Sequence, residues 1–105
     1  MKIEIKPTKS GEIILIFADE RLDLTAYDAF DEVATLAADT PSSKAIIVDF
    51  SRTRQLFDSG KAMLLTLRQR AGRLKNKLYL TNANHEIKNK LFKSGFAKKF
   101  HIRDR

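Results

Sequence analysis

A chain of 105 residues has the common size of one domain, and two separate cores of half that length would each be hard to stabilise, so one domain over residues 1–105 is expected. Cysteine is absent, which excludes a disulfide framework, a thiolate nucleophile and a Cys-based metal site. The net charge of +7 is unevenly carried, because residues 1–61 hold 8 basic and 11 acidic side chains while residues 62–105 hold 12 basic and 2 acidic ones. The imbalance implies either a solvated basic face or one that attracts an acidic protein, a phosphorylated ligand, an anionic membrane or nucleic acid.

From the N-terminus, Met1 to Lys6 alternates apolar and charged residues as an edge strand does, and it lacks the apolar core of a signal peptide. No apolar run approaches the roughly 20 residues that span a bilayer, so no membrane span is expected and the expected location is the cytoplasm. Ser10-Gly11 is a turn signal, and Glu12 to Phe17 is apolar and β-branched, a buried strand that forms a hairpin with the first. Thr25-Ala26-Tyr27-Asp28 resembles a helix start, with Thr25 as the hydroxyl cap and a carboxylate three residues on. Ala26, Phe30, Val33, Ala34 and Ala37 then recur on one helical face.

Pro41, Ser42 and Ser43 lead into a second strong strand, Lys44 to Phe50. Its four consecutive apolar residues suit a strand covered on both faces or placed in the sheet centre. A second helix is expected from about Ser59 or Gly60, with the stripe Met63, Leu64, Leu67 and Ala71 and a stop at Gly72. Lys77 to Thr81 is a third, shorter strand. A third helix follows Asn84 with Ile87, Leu91 and Phe92 as inward positions, stops at Gly95, and leaves Phe96 to Ile102 for a turn and a last strand. The order predicts an α/β fold: a mixed, largely parallel sheet of about four or five strands opening with a β-hairpin, packed with three or four helices. There is no internal repeat, low-complexity tract or long linker.

Enzymatic constellations are missing. Ser59 does not sit in a G-x-S-x-G turn, and four glycines form neither a P-loop nor a G-x-G-x-x-G. His85 and His101 are far apart in sequence and make no ligand pair. Asp19, Glu20 and Asp23 could suggest paired carboxylates, but they read better as loop and helix-entry residues, since acids are favoured near helix N-termini. The expectation is a protein that is not an enzyme and uses no cofactor or metal.

The turn Leu56-Phe57-Asp58-Ser59-Gly60 carries two readings. In one, Asp58 or Ser59 simply caps the second helix. In the other, a phosphate on the hydroxyl meets the unpaired N–H groups and positive dipole end of that helix, and its charge repels an acidic or apolar docking surface.

Val48-Asp49-Phe50-Ser51 followed by Leu56-Phe57-Asp58-Ser59-Gly60 resembles the signature of STAS domains, the family of bacterial anti-sigma factor antagonists. The similarity extends to Arg21-Leu22-Asp23 with Thr25, and to Leu91-Phe92-Lys93-Ser94-Gly95-Phe96, so it covers nearly the whole chain. One departure stands out: a single hydroxyl residue lies between Asp58 and Gly60 where the family carries two. With one extra loop residue, Asp58 matches the family aspartate and Ser59 its phosphorylated serine, a register that the apolar pair Leu56-Phe57 supports. Counted without gaps, Asp58 falls on the phosphorylated position and is a fixed negative charge.

The resemblance implies a partner-switching regulator that binds a serine kinase doubling as an anti-sigma factor, is released by phosphorylation, and is reset by a phosphatase. Asp23, Thr25, Asp58, Ser59, Gly60 and Lys61 are the implied docking residues. The alternative is a STAS-type scaffold or subunit of a larger signalling or transport complex that is not phosphorylated. Nucleic acid is not an expected partner, and a monomer or weak dimer is expected.

Overall fold

The structure, a computed structural model, describes residues 3–17 and 21–103. Strands β1 (Ile3–Pro7), β2 (Glu12–Phe17), β4 (Ala45–Asp49), β6 (Leu78–Thr81) and β7 (His101–Arg103) form a five-stranded sheet in the order β1-β2-β4-β6-β7. The opening hairpin is antiparallel and every other pairing in this sheet is parallel. Two short strands, β3 (Arg21–Leu22) and β5 (Gln55–Leu56), pair parallel beside it. The helices are α1 (Tyr27–Asp39), α2 (Asp58–Arg70) and α3 (His85–Lys93), with 3₁₀ turns at Leu24–Ala26, Gly72–Leu74 and Phe96–Lys98. The mixed, mostly parallel α/β architecture is the one the strand and helix order predicts.

Strand alternation explains how the layers meet. Ile46 and Val48 of β4 and Leu78 and Leu80 of β6 are buried in one core with Phe30, Val33 and Ala37 of α1, Leu64 and Leu67 of α2, and Ile87 and Leu91 of α3. On the other face, Ile47, Asp49 and Tyr79 are only half-buried and line an open groove of about 590 Å³. The apolar run of β4 thus marks the sheet centre, with one face packed by helices and the other open.

The helical stripes fall where their spacing places them, with Met63 half-buried at the edge of the core. Phe92 does not follow: it is 52% exposed. At 100° per residue it stands about 140° round α3 from Ile87, whereas Leu91 stands about 40° away. Gly72 and Gly95 both adopt left-handed backbone just past α2 and α3, the conformation that ends a helix.

Arg73 secures the end of α1. Its guanidinium donates to the carbonyls of Ser43 at 2.7 Å, Thr40 at 2.9 Å and Ala37 at 3.5 Å, placing a cation on the negative end of the helix dipole. Arg73→Ala is expected to destabilise the fold by about 1.5 kcal/mol, the loss of charge-assisted bonds and a dipole contact. Urea unfolding of the variant measures it, and an unchanged midpoint would contradict the assignment.

Candidate partner-switch site

The end of β5 runs directly into α2, and the entry is shaped by a close approach to β3. Leu22 and Leu56, paired across β3 and β5, are 0% and 1% exposed, and burial of each contributes roughly 1.5–3 kcal/mol. Their anchoring brings the Leu22 carbonyl against the first turn of α2. The Phe57 N–H donates to it at 3.1 Å, and a Cβ built on Gly60 would lie 2.2 Å from the same oxygen. Gly60 is buried and has no side chain to offer a partner; its part is to let the two backbones touch.

Neither Asp58 nor Ser59 caps α2. The cap position is Phe57, in extended conformation and without a side-chain bond. Asp58 is already the first helical residue, where a carboxylate meets the positive end of the dipole. The Ser59 hydroxyl accepts the Leu24 N–H at 3.1 Å. Ser59 is half-buried, and its hydroxyl proton is not the one used in that bond. The N–H groups of Asp58, Ser59 and Gly60 have no carbonyl of their own helix to bond.

Asp23 replaces Thr25 as the cap expected before the first helix. A 3₁₀ turn intervenes, and the Asp23 carboxylate accepts the Thr25 N–H at 2.9 Å and the Thr25 hydroxyl at 2.5 Å. Residue Ala26, at the actual α1 cap position, makes no side-chain bond. A carboxylate is a stronger acceptor than a hydroxyl, so Thr25 serves Asp23 as a donor. The Thr25 hydroxyl, then its N–H, hold the Asp23 carboxyl below its ordinary value, against a smaller opposing effect of desolvation.

A group with a lowered folded pKa stabilises the fold above its ordinary unfolded value, and that contribution is lost as pH falls through the lowered one. Thr25→Val, which removes the hydroxyl donor, is therefore expected to raise the Asp23 midpoint toward the ordinary carboxylate value. NMR titration of the Asp23 carboxyl carbon measures the change, and an unmoved midpoint would contradict the assigned cause.

Around the turn, Asp58 has a fully exposed side chain, and its carboxylate lies 3.3 Å from Lys61 Nζ. The same ammonium donates to Ser94 Oγ at 3.0 Å, tying the first turn of α2 to the end of α3. Arg21 lies over the Phe57 ring at 5.0 Å, and Lys90 Nζ donates to the Leu56 carbonyl at 3.2 Å. Leu24 and Phe57 are 61% and 37% exposed, so the turn offers apolar surface beside its charges. Of the residues that sequence reasoning assembled, Asp23, Thr25, Asp58, Ser59, Gly60 and Lys61 all belong to this junction. Leu24, Lys90 and Ser94 were missed as contributors: the first acts through its backbone, and the other two through contacts more than thirty residues apart in sequence.

Asp49, from the strand motif, plays an organising part instead. Its carboxylate accepts the Ser51 N–H at 2.8 Å and the Asn82 amide at 3.2 Å, joining the ends of β4 and β6. His85 opens α3 and His101 opens β7, and among the described residues no three His, Cys, Asp or Glu side chains gather as a metal site. Asp19 and Glu20 lie outside the described residues. No helix among the described residues is long and apolar enough to cross a membrane.

Residues 4–105 match the family model of the STAS domain. The chain belongs to the STAS domain family. A STAS-domain containing protein of Pseudomonas aeruginosa (strain UCBPP-PA14) is 30% identical over 102 residues, covering 97% of this chain and 99% of that protein. Among solved structures, the anti-sigma factor antagonist SpoIIAA in its unphosphorylated form superposes with a TM-score of 0.71 at 14% identity, over 99% of this chain and 89% of its own. The Bacillus cell fate determinant SpoIIAA in the phosphorylated form gives 0.68 at 15% identity, over 96% and 90%. These two establish the shared STAS fold.

Proposed function

We propose that this STAS domain is a non-catalytic partner-switching regulator, bound by a serine kinase that doubles as an anti-sigma factor and released when Ser59 is phosphorylated. One observation carries the reading: the Ser59 hydroxyl stands at the mouth of α2, bonded to the Leu24 N–H and flanked by the exposed side chains of Leu24, Phe57 and Asp58. A phosphate on that oxygen would meet the unpaired N–H groups and dipole of α2 and could keep the Leu24 donor. The modification is therefore compatible with the fold and acts on what docks there. It adds about −1.5 to −2 charge beside two carboxylates and next to apolar surface, so a partner that buries Leu24 and Phe57 would have to strip water from a dianion.

The SpoIIAA relatives, described in phosphorylated and unphosphorylated forms, support the proposal as relatives of the same fold. The exposed Asp58 carboxylate favours a second reading, in which it is a permanent docking charge on a STAS scaffold or subunit and Ser59 is never modified. Calorimetric binding of the kinase to the protein before and after phosphorylation tests the switch: affinity is expected to fall on phosphorylation, and equal affinity for the two forms would rule it out.

A further inference from the structure

We propose that the end of the molecule opposite Ser59 is a second docking site, which takes an acidic segment of a partner protein. Strands β4, β6 and β7 run parallel, so the residues preceding them collect at one end of the sheet: Lys44 before β4, Lys77 before β6, Lys98 and Lys99 before β7. The Ile46 N–H donates to the Lys77 carbonyl at 3.0 Å, which fixes two of these starts side by side. Helix α2 leads from the switch turn to the same end, with Arg68 about 14 Å along its axis from Ser59 at 1.5 Å per residue.

There the Arg68 guanidinium donates to the Lys99 carbonyl at 3.2 Å and to Asn76 Oδ1 at 3.5 Å, while a His101 ring nitrogen lies 3.1 Å from the Asn76 carbonyl. These contacts frame a cleft of about 220 Å³ lined by Asn76, Ala97, Lys98, Lys99, Phe100 and His101.

The charge at this end is one-sided. Lys44, Lys75, Lys77, Lys98 and Lys99 are all exposed, and from Lys61 to Arg103 the chain holds a single acidic residue, Glu86, in the first turn of α3. Among the described residues, the carboxylates that other elements bring toward this end are Glu12, which accepts the Ser10 hydroxyl, and Asp39 at the end of α1. The cleft has room for about seven waters at about 30 Å³ each, enough for one or two carboxylate side chains, and the surrounding lysines extend the complementary field along a peptide.

Membrane docking would call for exposed apolar anchors, but among the described residues the exposed large apolar side chains, Leu24, Tyr27, Phe57, Leu65 and Phe92, all lie outside the cleft lining. A duplex would call for a track of cations along a groove, whereas the cleft lining carries two lysines, Lys98 and Lys99, adjacent in the chain. This second site does not depend on Ser59 being phosphorylated.

Titration of the ¹⁵N-labelled protein with a short poly-glutamate peptide at low salt tests the proposal. Saturable shifts are expected at Asn76, Lys98, Lys99 and His101. The double variant Lys98→Glu with Lys99→Glu is expected to weaken binding roughly tenfold, equivalent to about 1.4 kcal/mol, while Lys93→Glu on α3 changes it little. Thermal unfolding confirms that the variants are folded, and the wild-type shift map stands without them. Shifts centred elsewhere, no saturable shift, or tighter binding to duplex DNA or phosphatidylserine vesicles than to the peptide would overturn the proposal.

Discussion

Gly60→Ala is expected to destabilise the protein by about 3 kcal/mol, a cost in the upper range for overpacked sites. The new Cβ would lie 2.2 Å from the Leu22 carbonyl oxygen and 2.8 Å from its carbon. The obstacle is backbone rather than the end of a flexible side chain, so relief requires moving α2 away from β3. That movement would stretch the bond from Phe57 N–H to Leu22 O and the one from Leu24 N–H to Ser59 Oγ. Fold stability and the geometry of the proposed switch are thus coupled at one residue. A fall in melting temperature of roughly 12–24 °C follows from about 4–8 °C per kcal/mol in a domain of this size.

Gly72→Ala is the control, because a Cβ there meets nothing within 4 Å and only the left-handed backbone, φ +59°, opposes it. Its cost is expected to be about 1 kcal/mol. Equal losses in the two variants, read by circular dichroism on heating, would contradict the close-approach account.

The second large effect is on binding. Ser59→Asp, which places a charge on the proposed docking face, is expected to weaken kinase binding at least tenfold, about 1.4 kcal/mol. Ser59→Ala keeps the face uncharged and is expected to bind like the native protein, at a stability cost of about 1 kcal/mol for the lost acceptor of the Leu24 N–H. Asp58→Asn removes a fully exposed charge whose partner is Lys61, and exposed pairs contribute about 0–1 kcal/mol, so its effect is expected to be small. If Asp58 were the permanent docking charge the order would invert, with Asp58→Asn weakening binding and both Ser59 variants neutral. Calorimetric titration of the three variants with the same kinase decides between the two orders.

Much of this architecture is written in local sequence. The apolar runs of β2 and β4, the stripe from Ala26 to Ala37, and the Asn84 cap, whose side chain accepts the Ile87 N–H at 2.8 Å, follow from periodicity and from the chemistry of short polar residues. Strands β3 and β5 have two residues each and carry no period to detect; they exist because Leu22 and Leu56 are buried together. For the same reason the cap reading of the α2 entry does not hold. A serine at a helix mouth usually caps it, but the approach of Gly60 to Leu22 swings the Ser59 hydroxyl toward a backbone donor 35 residues away in the chain. The bridge from Lys61 to Ser94 is likewise a tertiary product, since neither residue has a local reason to seek the other. The residues of the junction are therefore legible in the sequence, and their pairings are not.

Phosphosite mapping by mass spectrometry, after incubation of the native protein with its serine kinase and ATP, tests the central claim most directly. The switch account predicts a single added phosphate on Ser59, absent in Ser59→Ala and retained in Asp58→Asn. A Ser59 that stays unmodified while the kinase is active on itself or another substrate would contradict it.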